Sequence, residues 1–195
     1  MRAILAALWL GACSADACPS ADLSPLLVPP TYAVVSSDYS SSAIALLDAD
    51  RSLLDEAWVD SGTAMPGIVA ALSGDVSLPG APFAPCSMVL IDRYTTDVLT
   101  FVDTCGERPL RMQVDVGESF ASNPRDVLLV DGRAWVTRYG VNRASGLDDP
   151  NRGNDIAIVD GGRVVSRIDL SVGDAGDDVF ARPARMAILT AGAAL

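Results

Sequence analysis

The chain contains 195 residues, carries a formal net charge of −11 and has no histidine. The missing histidine excludes Ser-His-Asp and Cys-His nucleophile systems, and it excludes zinc or haem sites that depend on imidazole ligands. Acidic residues outnumber basic ones by 25 to 14. This excess opposes binding to nucleic acids and to anionic lipid surfaces, so we expect no nucleic-acid partner.

The first predicted element is an export signal at residues 1–12, where one arginine precedes a short apolar run. The run is too short to span a bilayer and is typical of a secretory signal. Residues 10–13, LGAC, resemble a bacterial lipobox and predict lipidation of Cys13. Cleavage after residues 15–17, ADA, is the alternative. Both forms are exported, so we expect a periplasmic, outer-membrane or cell-surface lipoprotein that touches the membrane only through its lipid.

Residues 13–30 are rich in Pro, Ser, Ala and Asp and form a predicted tether. One sequence pattern then recurs three times, with aspartates that end an apolar strand and prolines that open the next strand. These fixed points are Asp48, Asp103 and Asp160, and Pro66, Pro124 and Pro183. The predicted repeats are residues 31–65, 66–123 and 124–182, followed by a final strand at residues 183–190.

The third repeat carries a resemblance to a known family. Its strands contain Trp135-Val136-Thr137-Arg138, Ile156–Asp160 and Val172-Gly173, and Gly161-Gly162 supplies a turn. In this order the motifs resemble the YVTN-type β-propeller repeat. Four short strands per unit of this length are typical of a propeller blade. The resemblance implies an all-β, propeller-like fold with about three four-stranded blades in an incomplete ring. Closed propellers have roughly four to eight blades, so about three blades predict the N-terminal portion of a longer propeller. The lipobox-like motif predicts a bacterial exported protein.

Two cysteines flank a predicted hairpin. If the hairpin turns between Thr95 and Thr96, the numbers of opposed residues sum to 191, and 86 + 105 = 191. Cys86 and Cys105 would then lie opposite each other, which predicts a disulfide in an oxidising compartment. A register shifted by one residue would leave two free thiols instead. Cys18 has no predicted partner.

One acidic loop suggests a metal site. Asp149, Asn151 and Asp155 place oxygen atoms at nearly alternate positions, as a Ca²⁺-binding loop does. Gly153 stands where a further ligand is usual, and no bidentate glutamate follows. The alternative is a solvated acidic loop, and no other cofactor is predicted. The three strand-ending aspartates are more typical of turn caps than of a carboxylate ring.

Two functions fit these observations. No nucleotide-binding, C-x-x-C or other catalytic motif is present, which favours a non-enzymatic binding or scaffold module. Its insertions at residues 73–85 and 143–154 would form a recognition surface on one face, for a protein or small-molecule ligand of unknown identity. The alternative is the docking domain of a propeller enzyme or electron-transfer protein whose catalytic part lies further along the chain. An incomplete ring would also leave an exposed edge and favour self-association.

Overall fold

A computed structural model of the protein describes residues 29–63, 68–93, 95–105, 110–143, 151–170 and 180–189. Within these ranges the chain forms eleven β-strands and no helix. The strands make three sheets, and every strand pairing is antiparallel. The predicted all-β class is therefore confirmed.

Each sheet is a simple meander in chain order. The first sheet contains β1 (Tyr32–Ser37), β2 (Ser42–Leu47) and β3 (Leu53–Asp60). The middle sheet contains β4 (Val76–Ser77), β5 (Ser87–Asp92), β6 (Val98–Asp103) and β7 (Leu110–Asp115). The last sheet contains β8 (Pro124–Val130), β9 (Arg133–Val141), β10 (Gly153–Asp160) and β11 (Arg163–Asp169).

Glycine-containing two-residue turns fix the register of the last sheet. Asp131-Gly132 joins β8 to β9, and the predicted Gly161-Gly162 turn joins β10 to β11. All four residues have positive φ, with values of 49° and 77° in the first turn and 55° and 82° in the second. Paired positive φ values match the twist of adjacent strands and allow a hairpin of this minimal length.

The middle sheet packs between the other two. One apolar core joins it to the last sheet and includes Leu99, Phe101, Ala157 and Val159. A second core joins it to the first sheet and includes Ile44, Leu46, Leu90 and Val102. Both faces of β5 and β6 are thus covered. This explains their continuous apolar sequences, since a strand with one solvent-exposed face alternates apolar with polar residues.

Strand formation departs from prediction at the start of two repeats. The first sheet has three strands rather than four. The strand expected to begin at Pro66 is not formed between residues 68 and 72, and β4 begins only at Val76. The Gln113 side chain accepts hydrogen bonds from the backbone N–H groups of Val69 (2.7 Å) and Ala70 (3.0 Å). These donors therefore go to a side chain and not to a neighbouring strand.

The predicted final strand is also absent from residues 183–189, the part of it that the structure describes. The segment forms no ladder with any described strand. Instead, the Met186 N–H donates to the Asp126 carboxylate at 3.0 Å, so residues 183–189 are held by side-chain contacts.

The same junction links consecutive repeats at two places. The residue before a repeat proline donates its N–H to a side chain on the preceding sheet. Asn123 donates to Asp97 Oδ1 at 2.6 Å, and Arg182 donates to Asn154 Oδ1. Both donors have left-handed backbones, with φ of 50° and 45°, and so do both acceptors, with φ of 53° and 56°. The two junctions are therefore structurally equivalent.

Candidate functional site

The connection between β4 and β5, residues 78–86, is anchored at several points along its length. Leu78 packs against the core shared with the first sheet, and Phe83 packs against the core shared with the last sheet. The Phe83 and Phe101 ring centroids are 5.7 Å apart. The Gly80 N–H donates to Asp126 Oδ1 at 2.9 Å. Prolines at positions 79, 82 and 85 further restrict this loop, because each fixes its own φ.

A disulfide between Cys86 and Cys105 closes the loop, with the two Cα atoms 5.3 Å apart. The register that suggested this pair is wrong by one residue. Ser87 lies opposite Asp103, so opposed residues of β5 and β6 sum to 87 + 103 = 190, not 191. The shift does not separate the cysteines, because both lie beyond the paired strands. Cys86 has a φ of 54°, a turn conformation that permits a route to Cys105 outside the ladder.

Two clefts lie on either side of the 78–86 loop. The larger, about 620 Å³, lies towards the first sheet and is bordered by Tyr32, Leu46 and Met88. The smaller, about 280 Å³, lies towards the last sheet and is bordered by Met112 and Leu129. Phe83, Ala84, Ser87 and Met88 line both clefts. The larger volume is within the range of roughly 300–1,000 Å³ typical of small-ligand sites.

The chemistry of both clefts is largely apolar. Proline, aliphatic, methionine and aromatic residues dominate the linings. Asp160 is the only charged residue among those that line the smaller cleft, and the larger cleft has none within the described residues. Asp160 is also paired with Arg133, at 3.1 Å from its Nε. The surface is therefore suited to an apolar ligand.

The two predicted loop insertions do not share a face. In an antiparallel meander, successive connections lie at opposite ends of the strands. The insertion between β4 and β5 belongs to the cleft end. The connection between β9 and β10 belongs to the other end, where Asn142 N–H donates to Arg152 O at 2.7 Å. Asn151 Nδ2 there donates to Glu118 O at 3.0 Å. The described residues of the second insertion, 143 and 151–154, therefore lie away from the clefts.

The predicted Ca²⁺ ligands have other partners where the structure describes them. Arg138 Nε donates to one Asp155 oxygen at 2.7 Å, and Arg138 Nη2 donates to the other. Both Asp155 oxygens thus accept hydrogen bonds from one guanidinium. Asn151 lies against the backbone of Glu118, and Asp149 lies outside the described residues. The described part of the chain holds no cluster of three or more metal-ligating side chains.

Arg138 is the centre of a buried charge network. Its side chain is fully buried, and it pairs with both Asp155 and Glu118. Glu118 Oε2 also accepts a hydrogen bond from Arg167. The Arg138 guanidinium lies 5.1 Å from the centre of the Phe120 ring. Buried charges require such pairing, so this network has a structural role in joining the middle and last sheets.

Two of the three strand-ending aspartates cap turns, as predicted. Asp48 Oδ1 accepts the Ser52 N–H at 2.8 Å, and Asp103 Oδ1 accepts the Cys105 N–H at 3.0 Å. The third, Asp160, pairs with Arg133 across β9 and β10. The three carboxylates therefore serve local structure, not a common site.

Known proteins add no identification to this geometry. No family model, curated protein or solved structure matches the chain. Cys13, the predicted lipidation site, lies outside the described residues. None of the described segments forms a helix with the length and hydropathy needed to cross a membrane.

Proposed function

We propose that the protein is an exported, propeller-type binding module that binds an apolar ligand at the two clefts beside the 78–86 loop. The observation that carries this proposal is the anchoring of that loop at Leu78, Gly80, Phe83 and Cys86. A loop already held in one shape loses little conformational freedom on binding. Binding is then favoured because the ligand and the apolar linings remove apolar surface from water.

The propeller assignment is supported by the succession of meander sheets and by the two equivalent junctions before Pro124 and Pro183. Stacked repeats with one repeated contact between neighbours are the general architecture of propellers and other repeat proteins. The largely apolar linings of both clefts favour the binding of an apolar ligand.

Binding is tested by adding a library of apolar fragments to protein that carries ¹³C-methyl methionine. The methionine methyl signals are followed by NMR. Met88 and Met112 border the clefts, whereas Met186 contacts Asp126 and lies outside them. We expect fragments to shift the Met88 and Met112 signals and to leave Met186 unchanged. The Phe83→Ser variant should weaken the binding of those fragments about tenfold, through loss of an apolar wall.

The matched control is Val69→Ser, which changes an apolar residue that is 93% exposed away from both clefts. Its fragment affinity should equal that of the unaltered protein. Fragment shifts that are spread over all methionines, or that persist unchanged in Phe83→Ser, would contradict the proposed site.

We further propose that the module is held at the cell envelope by lipid on Cys13. The LGAC motif at residues 10–13 supports this, and so does the Cys86–Cys105 disulfide, since disulfides persist in oxidising compartments outside the cytoplasm. Growth with a labelled fatty acid should label the protein, and Cys13→Ala should abolish the label. Label that persists in Cys13→Ala would contradict lipidation at Cys13.

A further inference from the structure

The first sheet has a free backbone edge where the other two sheets have a strand. By order in the meander, β1 corresponds to β5 and β9, which are covered by β4 and β8. No described strand covers β1. Asp38 N–H donates to Ser41 O, so alternation directs the N–H and C=O groups of Ala33, Val35 and Ser37 away from β2. Such an edge is a template for pairing with another strand.

Residues 183–189 are the counterpart of the strand that β1 lacks. They follow the junction at Arg182 as β8 follows the junction at Asn123. The offset between the two prolines is 183 − 124 = 59, and the same offset relates Asp126 to Arg185. These two corresponding side chains contact each other, with Arg185 Nη1 at 3.5 Å from Asp126 Oδ1. The segment is therefore placed beside β8 as the opening strand of a following sheet.

The apolar residues of this segment have no cover. Ile188 is 65% exposed and Leu189 is 88% exposed. Their counterparts at the same offset, Leu129 and Val130, are only half-exposed within β8. The segment thus has the sequence of a paired strand and the exposure of an unpaired one.

The outer faces of the first and last sheets are also apolar. On the first sheet, Tyr32 and Val34 are 48% and 50% exposed on the face turned away from the middle sheet. On the last sheet, Trp135 lies opposite Ile158 on the outward face, and both are partly exposed. The inner faces of the same sheets are buried against the middle sheet. Each end of the stack therefore presents the type of face that packs on a neighbouring sheet.

We propose that two copies of this chain associate head to tail, with residues 183–189 of each copy added as a strand to the β1 edge of the other. The last sheet of each copy then packs on the first sheet of its partner. The described sheets of two copies number 2 × 3 = 6, within the roughly four to eight that closed propellers contain. Ring closure satisfies both free edges at once, whereas a head-to-tail contact that fails to close would give open filaments.

The first test is the mass of the full processed chain, purified in mild detergent and measured by light scattering corrected for bound detergent. We expect a species of twice the chain mass that persists on dilution. A monomer over the whole concentration range would overturn the proposal, and so would a series of larger polymers.

The second test uses charge in the added strand. The double variant Ile188→Asp and Leu189→Asp changes side chains that are exposed in a single copy, so the copy itself should fold. It should raise the dimer dissociation constant at least about 100-fold, because strand addition would bury unpaired carboxylates. Val69→Asp is the matched control, since Val69 is 93% exposed and belongs to neither β1 nor residues 183–189, and it should remain dimeric.

A mixing experiment separates strand exchange from misfolding. Val35→Pro removes an N–H from the free edge and leaves the N–H groups that pair with β2. Alone, this variant and the Asp double variant should both be monomeric with unchanged circular dichroism. Mixed together they should form heterodimers, because one intact edge then meets one intact segment. A mixture of folded variants that stays monomeric, or an Asp double variant as dimeric as Val69→Asp, would overturn the proposal.

Discussion

At the scale of single residues, the two equivalent junctions have different acceptor side chains: a carboxylate in one and an amide in the other. Asp97 and Asn154 hold the same position and accept the same kind of backbone N–H. Burial raises the pKa of the Asp97 carboxyl, and the nearby Asp115 raises it slightly further. Hydrogen bonds from Asn123 and Ser122 act in the opposite direction. The asparagine makes the same contact without a charge to desolvate.

The linkage between Asp97 and stability therefore has a definite sign. A carboxyl whose pKa is raised in the folded state binds its proton more tightly there than in the unfolded chain. Its contribution to stability is present below the unfolded pKa, near 3.8, and is lost as pH rises through the folded pKa.

We predict that Asp97→Asn stabilises the protein at neutral pH. The amide keeps the acceptor for Asn123, removes the buried charge, and tolerates the positive φ of this position as Asn154 does. Urea unfolding from pH 3.5 to pH 7 should show that the gain in the free energy of unfolding of the variant over the unaltered protein grows as pH rises through the folded pKa of Asp97. Asp97→Ala is the control and should lose about 1–3 kcal/mol, because the buried N–H is left unpaired. Equal pH profiles would refute this account.

Residue-scale features were only partly predictable from sequence. The turn caps at Asp48 and Asp103 were predictable, because an aspartate after a strand bonds to a backbone N–H close by in the chain. The specific partners and the depth of burial of Arg138 and Asp126 were not. Each is one polar residue within a strand, and its partners lie far away in sequence: Asp155 for Arg138, and Gly80 and Met186 for Asp126.

At the scale of elements, the 78–86 loop depends on one covalent bond and on a few packing contacts. The disulfide spans 19 residues of sequence and includes the whole β5–β6 hairpin. The hairpin is also held by its own ladder of backbone pairs. The bond therefore acts mainly on the loop and on the freedom of the unfolded chain.

We predict that the double variant Cys86→Ser and Cys105→Ser lowers the free energy of unfolding by about 3 kcal/mol. For a chain of this size the melting temperature should fall by about 6–12 °C. Circular dichroism melts measure this, and chymotrypsin should cleave after Phe83 faster in the variant. A reductant should lower the melting temperature of the unaltered protein to that of the variant and leave the variant unchanged. Identical melts of the two proteins without reductant would contradict the prediction.

The sequence predicts the existence of the elements better than their register. The recurring aspartates and glycines mark the strands of the middle and last sheets, since strand ends need residues with turn chemistry. The β5–β6 register was predicted wrongly by one residue. Thr95 and Asp97 both have positive φ in the connecting turn, and the sequence pattern alone cannot specify such a turn. The strand expected at Pro66 is not formed between residues 68 and 72. The side chain of Gln113, more than 40 residues away in sequence, bonds to the backbone of that segment instead.

At the scale of the whole molecule, the order of sheets follows from the repeat, because each repeat cannot bury its own faces and must stack on its neighbour. The position of the clefts does not follow from it. That depends on where the 78–86 loop crosses from one core to the other. Ring closure is equally beyond local pattern, since it requires the angles between sheets to sum to a full turn.

The covering of the middle sheet on both faces also has a consequence for the order of unfolding. In a linear array with nearest-neighbour coupling, a terminal unit can detach by losing one interface, but an inner unit must lose two. The amides of β5 and β6 should therefore exchange with solvent deuterium only after an end sheet has opened. Association of two copies into a closed ring would abolish this asymmetry, because no sheet would then be terminal, and opening at any one sheet would cost as much as at any other.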